Sequence, residues 1–220
     1  MNFDYFLNKF KKNAPLEVLG IKINPEALAY IKTADKFFQD NNYPQAIVYY
    51  TKAINIDPKN CYPLTKRGNC YKMIQQYDKA IEDLFKSVAL DDNFENNQSI
   101  AECQLFKKDF SSAVKYFDKS LIKIEEIEKI DTGEMSGRDY GATKARTLNN
   151  QAYCYFNMQQ IDKAIDCSTK GIKANPNYPN NYCIRGIVYL QKGNRSEAIR
   201  DLQNASRLGD QRANSILSEI

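Results

Sequence analysis

Apolar residues recur along most of this chain at intervals of three and four positions, the spacing of one face of an α-helix. Within that pattern, a small residue is followed five times by alanine twelve positions later and by another small residue seven positions after that. The five sets are Ala34/Ala46/Ala53, Gly68/Ala80/Ser87, Ala101/Ala113/Ser120, Ala152/Ala164/Gly171 and Gly186/Ala198/Ala205. Small side chains let two helix backbones approach closely, so each set predicts two antiparallel helices joined by a tight turn.

The sets recur at a nearly constant period. Their first residues, at positions 34, 68, 101, 152 and 186, are separated by 34, 33, 51 and 34 residues, so one interval holds an insertion of about half a repeat. The pattern predicts five stacked helix pairs that bury their core between neighbours rather than around one centre. The predicted pairs span 27–60, 61–93, 94–127, 145–178 and 179–212, with the insertion at 128–144.

From residue 27 to residue 212 the chain resembles the tetratricopeptide repeat family, because further positions match its pattern. In four sets an aromatic residue lies three positions after the first small residue, and in four sets a bulky residue lies three positions before the alanine. These residues are Phe37, Tyr71, Tyr155 and Tyr189, and Tyr43, Tyr77, Phe110 and Ile161, whereas Gln104 and Arg195 depart from the pattern. The resemblance implies an all-α fold, a right-handed superhelical α-solenoid of stacked antiparallel helix pairs whose first helices line a concave groove.

The two ends of the chain have amphipathic patterns of their own. Residues 1–26 predict a short N-terminal helix and a connector, in which Phe3, Phe6, Leu7 and Phe10 share one helix face. This phenylalanine face covers the exposed edge of the first repeat, or forms a second interface with a partner or another copy of the chain, or lies on a membrane surface. Residues 213–220 predict a helix that caps the last repeat.

Composition excludes several classes of function. The chain is 43% hydrophobic and 12% aromatic, and no apolar run approaches the roughly 20 residues that a membrane helix needs. We therefore expect no membrane span, and the absence of a visible secretory signal predicts a cytoplasmic protein. The net charge of +4 is not gathered into long basic runs, so no nucleic-acid binding is expected.

Cysteine and histidine usage argues against catalysis and metal binding. The chain has six cysteines, none spaced C-x-x-C, and no histidine. Cys70, Cys103 and Cys154 each follow the first small residue of a repeat by two positions, where a thiol packs as a small apolar group. Without histidine there is no usual triad base, and no glycine-rich phosphate loop follows a strand pattern. We expect no enzyme activity, no metal and no cofactor.

The concave groove is the predicted binding site, by the resemblance. Asparagine both donates and accepts hydrogen bonds, so its side chain suits the backbone of an extended peptide, while tyrosine packs on side chains. The alternative is that these positions are solvated residues on an exposed face. The predicted groove residues are Tyr62, Lys66, Asn69, Gln98, Glu102, Arg146, Asn149, Asn150, Tyr153 and Asn157.

One specificity within the family is disfavoured by the sequence. Members that bind the acidic C-terminal tails of the chaperones Hsp70/Hsp90 hold the terminal carboxylates with lysine, asparagine and arginine at fixed repeat positions. Here Asp35 or Glu102 stands at such positions, and only Asn150 fits. A carboxylate would repel the tail where charge-assisted hydrogen bonds are needed, so we expect no binding to these tails.

Two functions from different classes follow. The first is a non-enzymatic scaffold or adaptor that binds a protein or peptide segment in the concave groove. The second is a structural subunit that assembles as a homo-oligomer or within a larger complex, through the phenylalanine face or the terminal helices. Deletion of residues 1–25 separates them, because only the second function requires that segment.

Overall fold

The computed structural model describes residues 24–130 and 140–220, and all regular structure within them is helical. The chain divides into two compact units, the first ending at Lys107 and the second beginning at Lys108. The helices of the first unit are α1 Pro25–Gln39, α2 Tyr43–Ile56, α3 Cys61–Met73, α4 Tyr77–Leu90 and α5 Phe94–Phe106. Those of the second are α6 Phe110–Ile130, α7 Tyr140–Asn157, α8 Ile161–Ala174, α9 Pro179–Lys192, α10 Arg195–Arg207 and α11 Gln211–Glu219.

Asparagine side chains begin the first helices of the first unit. Oδ1 of Asn24 accepts from the backbone N–H of Glu26 at 2.9 Å, and Oδ1 of Asn60 accepts from that of Tyr62 at 3.0 Å. These bonds satisfy backbone donors that have no partner within the helix. Pro25 occupies the first turn of α1, where a missing N–H costs no hydrogen bond.

The turn inside each helix pair has one recurrent backbone conformation. Residues at the same repeat position have positive φ angles, which make the tight left-handed turn that ends the first helix. They are Asn41 (57°), Gln75 (62°), Lys108 (62°), Gln159 (59°) and Gly193 (81°). Only one of the five residues is glycine, so residue type alone does not predict the positive φ angles at these positions.

The small residues lie where the helices cross. All fifteen residues of the five sets are buried. A Cβ atom placed on Gly68 would lie 2.9 Å from Cγ of Leu84, and one on Gly186 would lie 2.8 Å from Cγ of Leu202. Within each unit the helices that follow one another pack together as antiparallel neighbours. The predicted all-α repeat fold is confirmed in this respect.

The insertion lengthens two helices. Helix α6 has 21 residues and α7 has 18, whereas α2, α4 and α8 have 14 each. Helix α6 runs to Ile130, within the predicted insertion, and residues 131–139 lie outside the described part. Helix α11 begins at Gln211, earlier than expected, because Asp210 caps it by accepting from the backbone N–H of Arg212 at 3.0 Å.

The cysteines are packing residues in the described parts of the chain. Cys70, Cys103 and Cys154 have no exposed surface, and Cys70 packs with Ala34, Ala46 and Tyr50. Burial raises the pKa of Cys70, Cys103 and Cys154 from 9.0 to about 12. Their thiols therefore stay protonated and unreactive at neutral pH.

Candidate functional site

In the first unit, one carboxylate accepts hydrogen bonds from two tyrosine hydroxyls, on the face formed by the first helices. The hydroxyl of Tyr50 donates to Oδ1 of Asp35 at 2.5 Å, and that of Tyr62 donates to the same carboxylate at 3.1 Å. Burial, and then the bond to Asp35, raise the pKa of Tyr50. The ammonium group of Lys66 lies 5.1 Å from the ring centroid of Tyr62 and 5.6 Å from that of Phe38.

A second polar cluster follows on the same face, between α3 and α5. Nζ of Lys72 donates to Oε2 of Glu102 at 2.6 Å, and Nε2 of Gln98 donates to Oε1 of Glu102 at 3.1 Å. The hydroxyl of Ser99 donates to Oδ1 of Asn69 at 2.9 Å. Gln98 is only 4% exposed, contrary to the expectation of an open groove position. The predicted side chains Asn69, Gln98 and Glu102 are thus each already bonded to another side chain of the unit.

In the second unit, three of the predicted residues of α7, namely Asn149, Asn150 and Tyr153, lie around a cavity. It has a volume of about 380 Å³ and is bounded by α7, α9 and α11. Its lining combines apolar side chains with amides and one guanidinium. The lining residues are Asn149, Asn150, Tyr153, Phe156, Asn180, Cys183, Ile184, Ile187 and Arg212.

The polar groups of this cavity differ in how far they are engaged. Nδ2 of Asn149 donates to the backbone carbonyl of Asn180 at 3.0 Å, so this amide ties α7 to α9. The side-chain amide of Asn150 has no hydrogen-bond partner among residues 24–130 and 140–220, and 46% of Tyr153 is exposed. Asn150 and Tyr153 are therefore the side chains of this cavity that are most available to a ligand.

Arg212 is a cavity residue that the sequence did not predict. Its Nε and Nη2 donate to the two carboxylate oxygens of Asp210 at 3.0 and 2.6 Å, which lowers the pKa of that carboxyl. The guanidinium side chain is still 65% exposed. Position 212 falls before the expected cap helix at 213–220, so a groove reconstructed from five repeats did not include it.

The remaining predicted residues do not line this cavity. Arg146 is exposed one turn earlier on α7, and its charge opposes the effect of burial, which raises the pKa of Tyr178. Nδ2 of Asn157 donates to the backbone carbonyl of Tyr153 at 2.8 Å, within its own helix. The phenylalanine face of Phe3, Phe6, Leu7 and Phe10 lies outside the described residues, and its role stays a prediction.

Residues 24–130 and 140–220 contain no group of three histidine, cysteine or carboxylate side chains arranged to hold a metal ion. No helix within those ranges combines the length and hydropathy that crossing a bilayer requires.

One model of the tetratricopeptide repeat matches the chain at residues 27–60 and again at residues 145–178, and a second such model matches residues 49–82. Hsp70-Hsp90 organizing protein 3 of Arabidopsis thaliana is 24% identical over 193 residues, which cover 78% of this chain and 34% of that protein. Tetratricopeptide repeat protein 28 of Homo sapiens is 36% identical over 62 residues, 28% of this chain and 2% of that protein. The chain thus spans about a third of the length of the organizing protein.

Solved structures with the same fold cover nearly the whole chain. The crystal structure of YrrB, a TPR protein with an unusual peptide-binding site, superposes with a TM-score of 0.70 at 18% identity, covering 94% of this chain and 100% of YrrB. That of MamA superposes with a TM-score of 0.68 at 24% identity, covering 86% of this chain and 94% of MamA. At these identities the likeness concerns the fold alone.

Proposed function

Since the chain belongs to the tetratricopeptide repeat family, we propose that it is a non-enzymatic scaffold or adaptor that binds a segment of a partner protein. The observation that carries this proposal is the cavity where Asn149, Asn150 and Tyr153 lie together. The names of the relatives and neighbours support it, because one relative organizes chaperones and YrrB has a peptide-binding site.

The chemistry of the cavity suits an extended segment that carries an aliphatic side chain. Ile184, Ile187 and the ring of Tyr153 supply apolar surface, and burial of one aliphatic side chain there contributes about 1.5 to 3 kcal/mol. The amide of Asn150 can both donate to and accept from a peptide backbone. The exposed guanidinium of Arg212 adds a donor at the rim.

The test compares the partners captured from a cell lysate by the parent chain and by a variant that carries Asn150→Ala and Tyr153→Ala. Asn149 is left unchanged because its amide bonds the backbone of α9. A captured partner is then mapped with overlapping peptides, and the affinity of the binding peptide is measured by titration calorimetry. We expect the variant to bind at least about tenfold more weakly, since interface tyrosines commonly contribute more than about 1 kcal/mol.

A matched control carries Arg200→Glu and Gln203→Ala on α10, where both side chains are exposed and neither lines the cavity. Circular dichroism spectra and melting temperatures of all three proteins must agree before affinities are compared. Equal binding by the parent and the Asn150→Ala/Tyr153→Ala variant would remove the cavity from the proposal.

The assembly function predicted from the phenylalanine face has a separate test. Light scattering of the chain with and without residues 1–25 measures the molar mass in solution. Loss of an oligomer on deletion would favour assembly through that segment, whereas an unchanged mass with intact peptide binding would favour the adaptor.

A further inference from the structure

One repeat junction of the first unit is closed by a three-residue bridge. Arg67 of α3 donates from Nε and Nη2 to the two carboxylate oxygens of Asp83 on α4, at 2.7 and 2.8 Å. Its Nη1 donates to Oγ1 of Thr51 on α2 at 2.9 Å. The arginine side chain therefore lies across the space between two successive second helices. We call this arrangement the arginine bridge.

The second unit contains a copy of the arginine bridge. Arg185 of α9 donates to Asp201 on α10 at 2.6 and 2.8 Å and to Thr169 on α8 at 2.9 Å. In both copies the threonine precedes the arginine by 16 residues and the aspartate follows it by 16. The sequence spacing and the geometry are thus repeated at two junctions.

At the junction of α6, α7 and α8 the corresponding residues are different. Each bridging arginine directly precedes the first small residue of its repeat, and Gln151 occupies that place in the fourth repeat. Nε2 of Gln151 donates to Asp118 on α6 at 2.5 Å, and Sγ of Cys167 on α8 lies 3.8 Å from Oε1 of Gln151. A groove of about 1110 Å³ opens here between α6 and α8, with α7 as its floor.

The groove has an apolar floor and two walls of opposite charge. Leu121, Leu148 and Tyr155 supply apolar surface, and Ile122 on the α6 wall is 52% exposed. The acids of the α6 wall are Asp118, Glu125 and Glu128, and the lysines of the α8 wall are Lys163, Lys170 and Lys173, with Asp166 beside Lys170. Each set recurs at intervals of seven and three residues, so each lines one face of its helix.

Some of these charges are already paired within the unit. Lys144 bonds Glu128, and Lys170 bonds Asp166 at 2.6 Å. Glu125 and Lys173 are exposed and have no ion-pair partner in residues 24–130 and 140–220. Asp118 and Lys163 likewise form no ion pair within these ranges, so the α6 wall keeps a net negative charge and the α8 wall a net positive one.

We propose that this groove binds an amphipathic α-helix of a partner protein, with basic residues on the flank facing α6 and acidic residues on the flank facing α8. The charge complementarity sets the orientation of the occupant. The charged positions of α6 span ten residues, about 15 Å of helix, which matches an occupant of about three turns. A helix fits better than an extended segment because the walls expose side chains, and a helix satisfies its own backbone groups.

This binding site is distinct from the α7/α9/α11 cavity of the proposed function. The probe is a displayed library of three-turn peptides with leucine fixed along one helical face. The flanking positions vary among lysine, arginine, glutamate, aspartate and serine. We expect selection on the parent chain to enrich peptides with basic residues on one flank and acidic residues on the other.

The deciding variant carries Asp118→Thr, Gln151→Arg and Cys167→Asp, which copies the arginine bridge into the open junction. Its fold is already supported at two junctions of the same chain. An enriched peptide, labelled with a fluorophore, should bind this variant at least about tenfold more weakly than the parent. It should bind the Asn150→Ala/Tyr153→Ala variant unchanged, which separates this groove from the other cavity.

Charge reversal supplies a second measurement that does not depend on the bridge variant folding. Selection on Glu125→Lys should replace basic by acidic residues on the flank facing α6, and selection on Lys173→Glu should do the reverse on the other flank. The proposal is overturned if no peptide is enriched, if flank charges are random, or if a folded bridge variant retains full affinity.

Discussion

Single residues stabilise the repeats through buried charge pairs, of which the arginine bridge of Arg67 and Asp83 is the best defined. The side chains are 15% and 4% exposed, respectively, and the guanidinium holds both carboxylate oxygens. Removal of one partner leaves a buried charge without compensation, which typically costs about 3 to 5 kcal/mol. The attraction itself is largely offset by desolvation of the two ions.

We predict that Arg67→Met lowers the free energy of unfolding by about 3 kcal/mol, measured by urea denaturation. The double variant Arg67→Met/Asp83→Leu should recover most of this loss, because no unpaired carboxylate is then buried. Arg185→Met is the matched change in the second copy of the bridge. A loss below about 1 kcal/mol at both sites would show that the carboxylates find water in the folded state.

The buried thiols predict a weakness at high pH. Burial raises the pKa of Cys103 and Cys154 from 9.0 to about 12. Between these values the unfolded chain releases the thiol protons and the folded chain keeps them, so stability is lost as pH rises above 9. Below pH 9 both states are protonated and these thiols contribute no pH dependence.

We expect the free energy of unfolding, measured in urea at several pH values, to fall more steeply above pH 9 in the parent than in a Cys103→Ala/Cys154→Ala variant. Each thiol contributes at most about 1.4 kcal/mol per pH unit to the slope. The variant is less stable at every pH because of the space it leaves, so the slope is the relevant quantity. Identical slopes would mean that other groups, such as the tyrosines, control the alkaline loss.

At the scale of the helices, close contact between neighbouring repeats depends on residues without side chains. A Cβ atom on Gly171 of α8 would lie 2.5 to 2.6 Å from the side-chain amide atoms of Asn181 on α9. That amide is buried, and its Nδ2 donates to the backbone carbonyl of Ala145 at 3.0 Å. A methyl group at position 171 therefore displaces a bonded polar side chain.

We predict that Gly171→Ala destabilises the fold by about 1 to 3 kcal/mol, by overpacking and by breaking the Asn181 hydrogen bond. The double variant Gly171→Ala/Asn181→Ala should show less than the sum of the two single effects, since the methyl group then has space. Thermal melts of the four proteins complete the cycle. Strict additivity would mean that the two residues do not meet.

Helix pairs could be predicted from the sequence because the small residues recur at positions where only small residues fit. The approximate positions of the five helix pairs followed from that spacing. The turn conformations could not be predicted, because Gln75 and Gln159 adopt positive φ angles that glutamine does not favour. The packing of the helix pair imposes this left-handed conformation, which costs about 1 to 2 kcal/mol for each such residue.

At the scale of the whole molecule, repeat positions identify candidate groove residues. They do not show which of these side chains are buried or already hydrogen-bonded to other residues. Asn150 and Tyr153 could be placed from the repeat alignment, yet the alignment could not show that Gln98 is buried. Nor could it indicate the groove between α6 and α8, where Gln151 occupies the place of the bridging arginines. The recurrence of Thr, Arg and Asp at intervals of 16 residues was a signal present in the sequence.

We expect the chain not to bind the acidic tails of heat-shock chaperones, although it is similar to organizing proteins of those chaperones. The structure shows the acids that support this prediction. Asp35 accepts bonds from two tyrosine hydroxyls, and Glu102 is held by Lys72 and Gln98. Both carboxylates lie on the first-helix face of the first unit, where the tail's own carboxylates would need cationic partners.

We predict that synthetic peptides with the acidic C-terminal sequences of these chaperones bind more weakly than about 1 mM in titration calorimetry, since each misplaced acid adds repulsion instead of a charge-assisted bond. Peptides of the same sequences with an amidated C-terminus provide the control. A site that recognises the terminal carboxylate binds the amidated peptides more weakly, whereas a non-specific surface binds both forms alike. Micromolar binding that disappears on amidation would contradict the prediction. It would direct attention to Lys66, whose ammonium group lies over the rings of Phe38 and Tyr62 and forms no ion pair in the described part of the chain.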